Sequence, residues 1–85
     1  MWIRSQDKKQ LIKADDFTLF VEEGKFWICC NYSGVGDYST EEKAMKVLDM
    51  IQKEIRILEI AKIECGCYTN YDTVFQMPSD EEVVL

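Results

Sequence analysis

The run from Ser39 to about residue 63 constrains the fold most. Ser39-Thr40-Glu41-Glu42 reads as a capping box, with Ser39 at the N-cap and Glu42 at N3. Glu41 and Glu42 also sit at the positive end of the helix dipole. Ala44, Val47, Leu48, Ile51, Ile55 and Leu58 then recur at steps of three and four, which is one apolar stripe. Glu42→Lys46 and Asp49→Lys53 are favourably oriented i,i+4 pairs on the outside. No Gly or Pro interrupts before Gly66, which suits a C′ position. The pattern predicts a helix from about 40 to 63. In a chain of 85 residues that leaves room for one small domain with short strands around it.

Those strands are legible by alternation. Residues 2–5 and 10–14 read as a first hairpin around the polar turn Gln6-Asp7-Lys8-Lys9. Asp15-Asp16 breaks the pattern. In residues 17–22, Phe17, Leu19 and Val21 share one face, with Thr18 and Phe20 on the other. Glu23-Gly24 is a turn. In residues 25–31, Phe26, Ile28 and Cys30 face one way, and Trp27 and Cys29 the other. With two apolar faces, this strand is expected to be central or covered by a second subunit. Asn31 to Asp37, with Gly34 and Gly36, reads as a loop; its Gly-x-Gly lacks the rest of any phosphate-binding fingerprint. Residues 73–77 form a last strand, stopped by Pro78.

The expected architecture is α+β: a mainly antiparallel sheet of four to five strands carrying one long amphipathic helix, in the order β-β-β-β-α-β. Residues 1–78 form the domain, and 79–85 an acidic, mobile C-terminal tail. A second helical stripe, Met50, Ile57 and Ala61, is widened by Ile60 and Ile63. It is either a wider core, closed by residues 64–77 folding back, or a subunit interface that makes the protein a homo-oligomer.

Composition removes most chemistry. Lys and Arg number 10 against 16 Asp and Glu, a net charge of −6, which is too acidic for a duplex nucleic-acid binder. There is no histidine, so neither Ser-His-Asp nor Cys-His catalysis is available from one chain. No metalloprotease, calcium-loop or P-loop motif is present, and the chain is read as a non-enzyme needing no cofactor. Cys29-Cys30 and Cys65-Gly66-Cys67 lack the usual spacing of structural zinc, so no metal is expected. The N-terminus carries no apolar signal-peptide core and no segment is apolar enough for a membrane span. A cytoplasmic protein with reduced thiols is expected.

Binding chemistry is left. Phe17, Phe20, Phe26 and Phe75 read as core. The four tyrosines, Tyr32, Tyr38, Tyr68 and Tyr71, fall in or beside loops, where a flat face and a hydroxyl suit a base, a ribose or a partner surface. The alternative is that they pack loop edges. Arg4 and Arg56 are the only arginines; each is either a surface group or a phosphate ligand, and a phosphate site built from them needs more than one subunit.

Three segments carry a resemblance. Trp2-Ile3-Arg4-Ser5-Gln6-Asp7, Tyr38-Ser39-Thr40-Glu41-Glu42-Lys43-Ala44 running into Val47-Leu48-Asp49-Met50-Ile51, and Val74-Phe75-Gln76-Met77-Pro78 together resemble a group of small proteins encoded by Firmicutes and their phages. The resemblance covers about half the chain and its motifs look architectural; it implies that the first and last strands pair. In size and layout such proteins are similar to phage anti-defence sponges. Those are homo-oligomers that sequester, without cleavage, the cyclic nucleotide or cyclic ADP-ribose signals of bacterial immune systems such as Thoeris and CBASS. The resemblance implies a ligand site at a subunit boundary, and residue type nominates Arg4, Arg56, Tyr32, Tyr38, Tyr68 and Tyr71 for it. The competing expectations are an acidic protein–protein inhibitor and a structural accessory protein.

Overall fold

The computed structural model describes the backbone of residues 1–65 and 74–85, and side chains of residues 1–60 and 74–85. Among the described residues six strands and one helix occur, in the order β1 (Trp2–Arg4), β2 (Leu11–Lys13), β3 (Thr18–Glu22), β4 (Lys25–Cys30), β5 (Ser33–Tyr38), α1 (Glu41–Cys65), β6 (Val74–Gln76). The class is α+β, but the strands form two three-stranded sheets rather than one, ordered β2-β1-β6 and β3-β4-β5. Five strands precede the helix, not four.

The first sheet joins the beginning and the end of the described fold. β1 pairs antiparallel with β2 and parallel with β6, aligning Ile12, Ile3 and Phe75 in one inward row. Strands of three residues make few ladder bonds, so this sheet ends before it can run on into the second. The chain changes sheet at Asp15-Asp16. There the Asn31 side chain donates to the Lys13 carbonyl and accepts from the Asp15 N–H, while Asp16 accepts from the Asn31 N–H. An amide side chain thus does the work of a missing strand partner.

The second sheet is a meander with β4 at its centre, as its two apolar faces anticipate. Two-residue turns close both hairpins. Glu23 and Gly24 have φ of 52° and 75°, and Asn31 and Tyr32 have 50° and 67°, the left-handed pairs that match strand twist. The stretch after Tyr32, expected as a loop, is strand β5. Its pairing with β4 overrides the weak strand propensity of its glycines, and Gly34 is needed because the Trp27 ring lies over it. A Cβ there would meet Trp27 Cε3 at 3.0 Å.

Helix α1 packs across β4 and β5. Ala44, Val47, Ile51 and Leu58 are buried, as the stripe requires, the first three in one core with Ile3, Ile28, Cys30, Val35 and Tyr38. Its N-cap is Thr40, not Ser39: Thr40 Oγ1 accepts from the Lys43 N–H, and its carbonyl starts the helical ladder at Ala44. Ser39 is drawn away by Asp80, which accepts from both its N–H and its hydroxyl. Residues 79–85 lie against the domain. Asp80 ion-pairs with Lys43 at 3.4 Å, Lys46 donates to the Val84 carbonyl, and Val83 is buried in the core. Among the described residues no helix is long and apolar enough to cross a membrane.

Candidate functional site

The three segments that carry the resemblance meet in space and form a joint. Met77 N–H donates to the Arg4 carbonyl, continuing the β1–β6 ladder, and Gln76 Nε2 donates to the Ser5 carbonyl. Gln6 lies one residue beyond Ser5. Its N–H donates to the Val35 carbonyl, and its side chain both accepts from the Asp37 N–H and donates to the Asp37 carbonyl, each at 3.0 Å. Gln6 so closes the outer edge of β5 as a surrogate strand. The same Nε2 reaches the Pro78 carbonyl at 3.1 Å. Tyr38 donates its hydroxyl to that carbonyl at 2.8 Å.

This joint fixes the fates of two nominated residues. Tyr38 is 2% exposed; it ends β5 facing the core and is no surface ligand group. Burial, and behind it the charges of Asp37, Asp80 and Glu82, push its hydroxyl far above the ordinary tyrosine range. Arg4 is exposed, but its Nε and Nη2 both donate to the Lys8 carbonyl, holding a turn in which Lys8 has φ of 66°. Arg56 is exposed on α1. Tyr68 and Tyr71 lie outside the described residues, as do Gly66, Cys67 and the side chain of Cys65.

Tyr32 is fully exposed at the β4–β5 turn, at the opposite end of β5 from Tyr38. At the strand rise that separation is roughly 20 Å, so the two tyrosines cannot share a small ligand within one chain. They line different depressions, and neither depression includes Arg4 or Arg56.

A different set does converge, on the face of β3-β4-β5 that turns away from α1. Ile28 and Cys30 are buried, so Trp27 and Cys29 project outward, beside Thr18 and Phe20 of the paired strand. Phe20 sits opposite Trp27, an aromatic cross-strand pair. Phe20 is therefore not core; it is 49% exposed. Its alternation with Leu19 and Val21, set against the two-sided strand carrying Trp27, was the available signal. Beyond Trp27, Lys25 pairs with Asp37 at 3.5 Å. Towards the other end, Asp16, Thr18, Phe20, Cys29 and Tyr32 line a depression of about 560 Å³, within the range of small-molecule sites.

Its electrostatics are acidic. Asp16 lines the depression, and Glu22 is close enough to add to the effect of burial in pushing the Cys29 thiol up. Burial, then Cys29 and Asp16, raise Cys30 likewise. Both thiols stay protonated at neutral pH and serve as packing groups. Among the described residues no three Cys, Asp or Glu side chains converge as metal ligands.

Tyr32 itself is placed at a cost. A bulky residue with φ of 67° gives up roughly 1 kcal/mol relative to glycine, and its exposed ring gains nothing from packing. The two-residue turn puts that ring beside the Phe20 platform. Searches against protein-family models, curated proteins and solved structures find no match to this chain.

Proposed function

We propose that the chain is a non-catalytic binding protein that sequesters a small nucleotide signal, of the cyclic nucleotide or cyclic ADP-ribose type, as a phage anti-defence homo-oligomer in the host bacterial cytoplasm. The observation that carries the reading is Tyr32, a strained, fully exposed aromatic that lines one depression with Phe20, itself the cross-strand partner of Trp27. Flat aromatic faces on a rigid sheet stack bases without sequence-specific readout. Among the described residues no Lys or Arg lines the depression. The phosphate charge then falls to another copy in the assembly, whose exposed Arg56 is the candidate donor, in keeping with a site at a subunit boundary. Exposed Met50, Ile57 and Ile60 on α1 support an assembly.

The test is a thermal-shift series with cyclic ADP-ribose isomers and cyclic oligonucleotides, followed by denaturation and recovery of the ligand. A sponge is stabilised by mass action and returns its ligand unchanged. Tyr32→Gly should raise the melting temperature of the free protein and abolish the ligand shift. Absence of a shift with every nucleotide sinks the reading, and a chemically altered nucleotide replaces it with an enzyme.

The carboxylates favour a second reading, an acidic protein–protein inhibitor. Asp16 and Glu22 border the aromatic platform and attract a basic surface. Binding to a Lys- or Arg-rich partner that weakens steeply with salt would select it.

A further inference from the structure

Strand β3 is an edge whose outer side no described element covers. The two-residue turn makes Glu22 and Lys25 the hydrogen-bonded closing pair of the β3–β4 hairpin. Alternation then aims the N–H and C=O of Thr18, Phe20 and Glu22 at β4, and those of Leu19 and Val21 outward. The remaining edge of this sheet, β5, is closed by Gln6. In the other sheet, edge strand β2 has only three residues and ends in Lys13, the usual protection of an edge. β3 has neither lysine nor proline; Phe20 and Val21 are 49% and 57% exposed on it. A bare apolar edge of this kind is a template for another strand.

We infer that β3 pairs antiparallel with β3 of a second copy, about a two-fold axis at Phe20. The occupant follows from self-complementarity. With Phe20 on the axis, Leu19 of each copy faces Val21 of the other, and these are the two residues whose backbone groups point outward. They exchange four hydrogen bonds. Phe20 meets its own copy at a non-hydrogen-bonded position, where Cα atoms approach to about 4.5 Å and side chains touch most closely. Glu22 falls opposite Thr18, so no carboxylates face each other across the seam. A parallel pairing in register would stack Glu22 on Glu22 and leave no closed symmetry.

The result is one six-stranded sheet. Its outer face joins the two Phe20–Trp27 platforms into a single aromatic floor, with a Tyr32 near each end. Both copies of α1 lie on the opposite face, so an Arg56 at this floor must come from a further copy stacked on it. The floor deepens the nucleotide reading and rests on it; the strand pairing does not.

Light scattering and sedimentation velocity on the full chain test the seam. The wild type should have at least twice the monomer mass. Phe20→Lys places two ammonium groups on the axis, and Val21→Pro removes an outward N–H while sparing the β3–β4 ladder. Each should lower the mass by a factor of two, with an unchanged circular dichroism spectrum. Should Val21→Pro fail to fold, Phe20→Lys decides, because Phe20 is already exposed in the single copy. A monomeric wild type overturns the inference, including one that takes up only a foreign strand peptide. So does an oligomer whose mass the folded variants leave intact. A β3-paired dimer that shifts with no nucleotide keeps the seam and rejects the ligand reading. A monomer stabilised by a nucleotide does the reverse.

Discussion

Gln6→Ala tests whether one side chain holds the two sheets together. The substitution removes three hydrogen bonds, two to the β5 edge at Asp37 and one to Pro78, and keeps the Cβ that packs near Gly36. Each bond contributes about 1 kcal/mol net. The Pro78 carbonyl still accepts from Tyr38, so that loss is small, and water reaches part of the Asp37 edge. The expected destabilisation is about 2 kcal/mol. A domain of this length has a total stability of roughly 4–13 kcal/mol, so the melting temperature should fall by about 8–16 °C. Urea unfolding followed by circular dichroism measures this, and an unchanged m-value assigns it to the folded state. Gln6→Glu sharpens the test. At neutral pH its carboxylate still accepts from the Asp37 N–H, but faces the Asp37 and Pro78 carbonyls with no proton to donate. It should be at least as destabilised as the alanine variant. Facing two carbonyls raises its folded value, so stability should return as pH falls through that raised value and be complete below the ordinary value of about 4. An alanine variant within about 0.5 kcal/mol of wild type refutes the surrogate-strand role. A glutamate variant as stable as wild type at neutral pH does so as well.

Two further predictions concern the aromatic face and pH. Gly34→Val should displace the Trp27 ring, cost about 1–3 kcal/mol and shift tryptophan emission to the red, because its Cβ would arrive 3.0 Å from the indole; unchanged emission would contradict the packing. Hydrogen bonds from Ser5 to Asp7, from Ser39 to Asp80 and from Ser79 to Glu82 hold these carboxyls below their ordinary values. Their contribution is therefore complete above the unfolded values near 4 and is lost as pH falls through the folded ones, and Asp80→Asn should flatten part of that acid limb. Tyr38 has the opposite sign: its hydroxyl is raised in the fold, so stability should fall as pH rises above about 10, and Tyr38→Phe should remove that limb.

Local pattern made the helix and the hairpins legible. Ala44, Val47, Ile51 and Leu58 are buried where the 3.6-residue period puts them, and Glu23-Gly24 turns the chain where expected. Tertiary effects hid the rest. Ser33, Gly34, Gly36 and Asp37 are poor strand formers, and become β5 through β4 and the Trp27 ring. Ser39 loses the cap because Asp80, 41 positions away, competes for it. Tyr38 was legible as a tyrosine beside a loop, but its burial follows from which face of β5 it occupies, and β5 itself was not anticipated. Of the nominated ligand groups among the described residues, Tyr32 alone lines the aromatic depression. Phe20, assigned to the core by residue type, is its neighbour there.

The β1–β6 pairing also sets a timetable. Gln6 and Pro78 touch across 72 positions of chain, and β1 cannot take its parallel neighbour until β6 has been made. On the ribosome, the β3-β4-β5 meander and α1 have local partners and can form early. The first sheet must wait for residues 74–78 to leave the exit tunnel. Long-range closure of this kind slows folding, and until it happens Ile3 stays without its cross-strand neighbour Phe75 and without Met77 and Val83 of the shared core. A nascent chain stalled before residue 74 should therefore hold a folded half and an open hairpin, and ribosome-bound chains of increasing length should gain protease resistance in two steps.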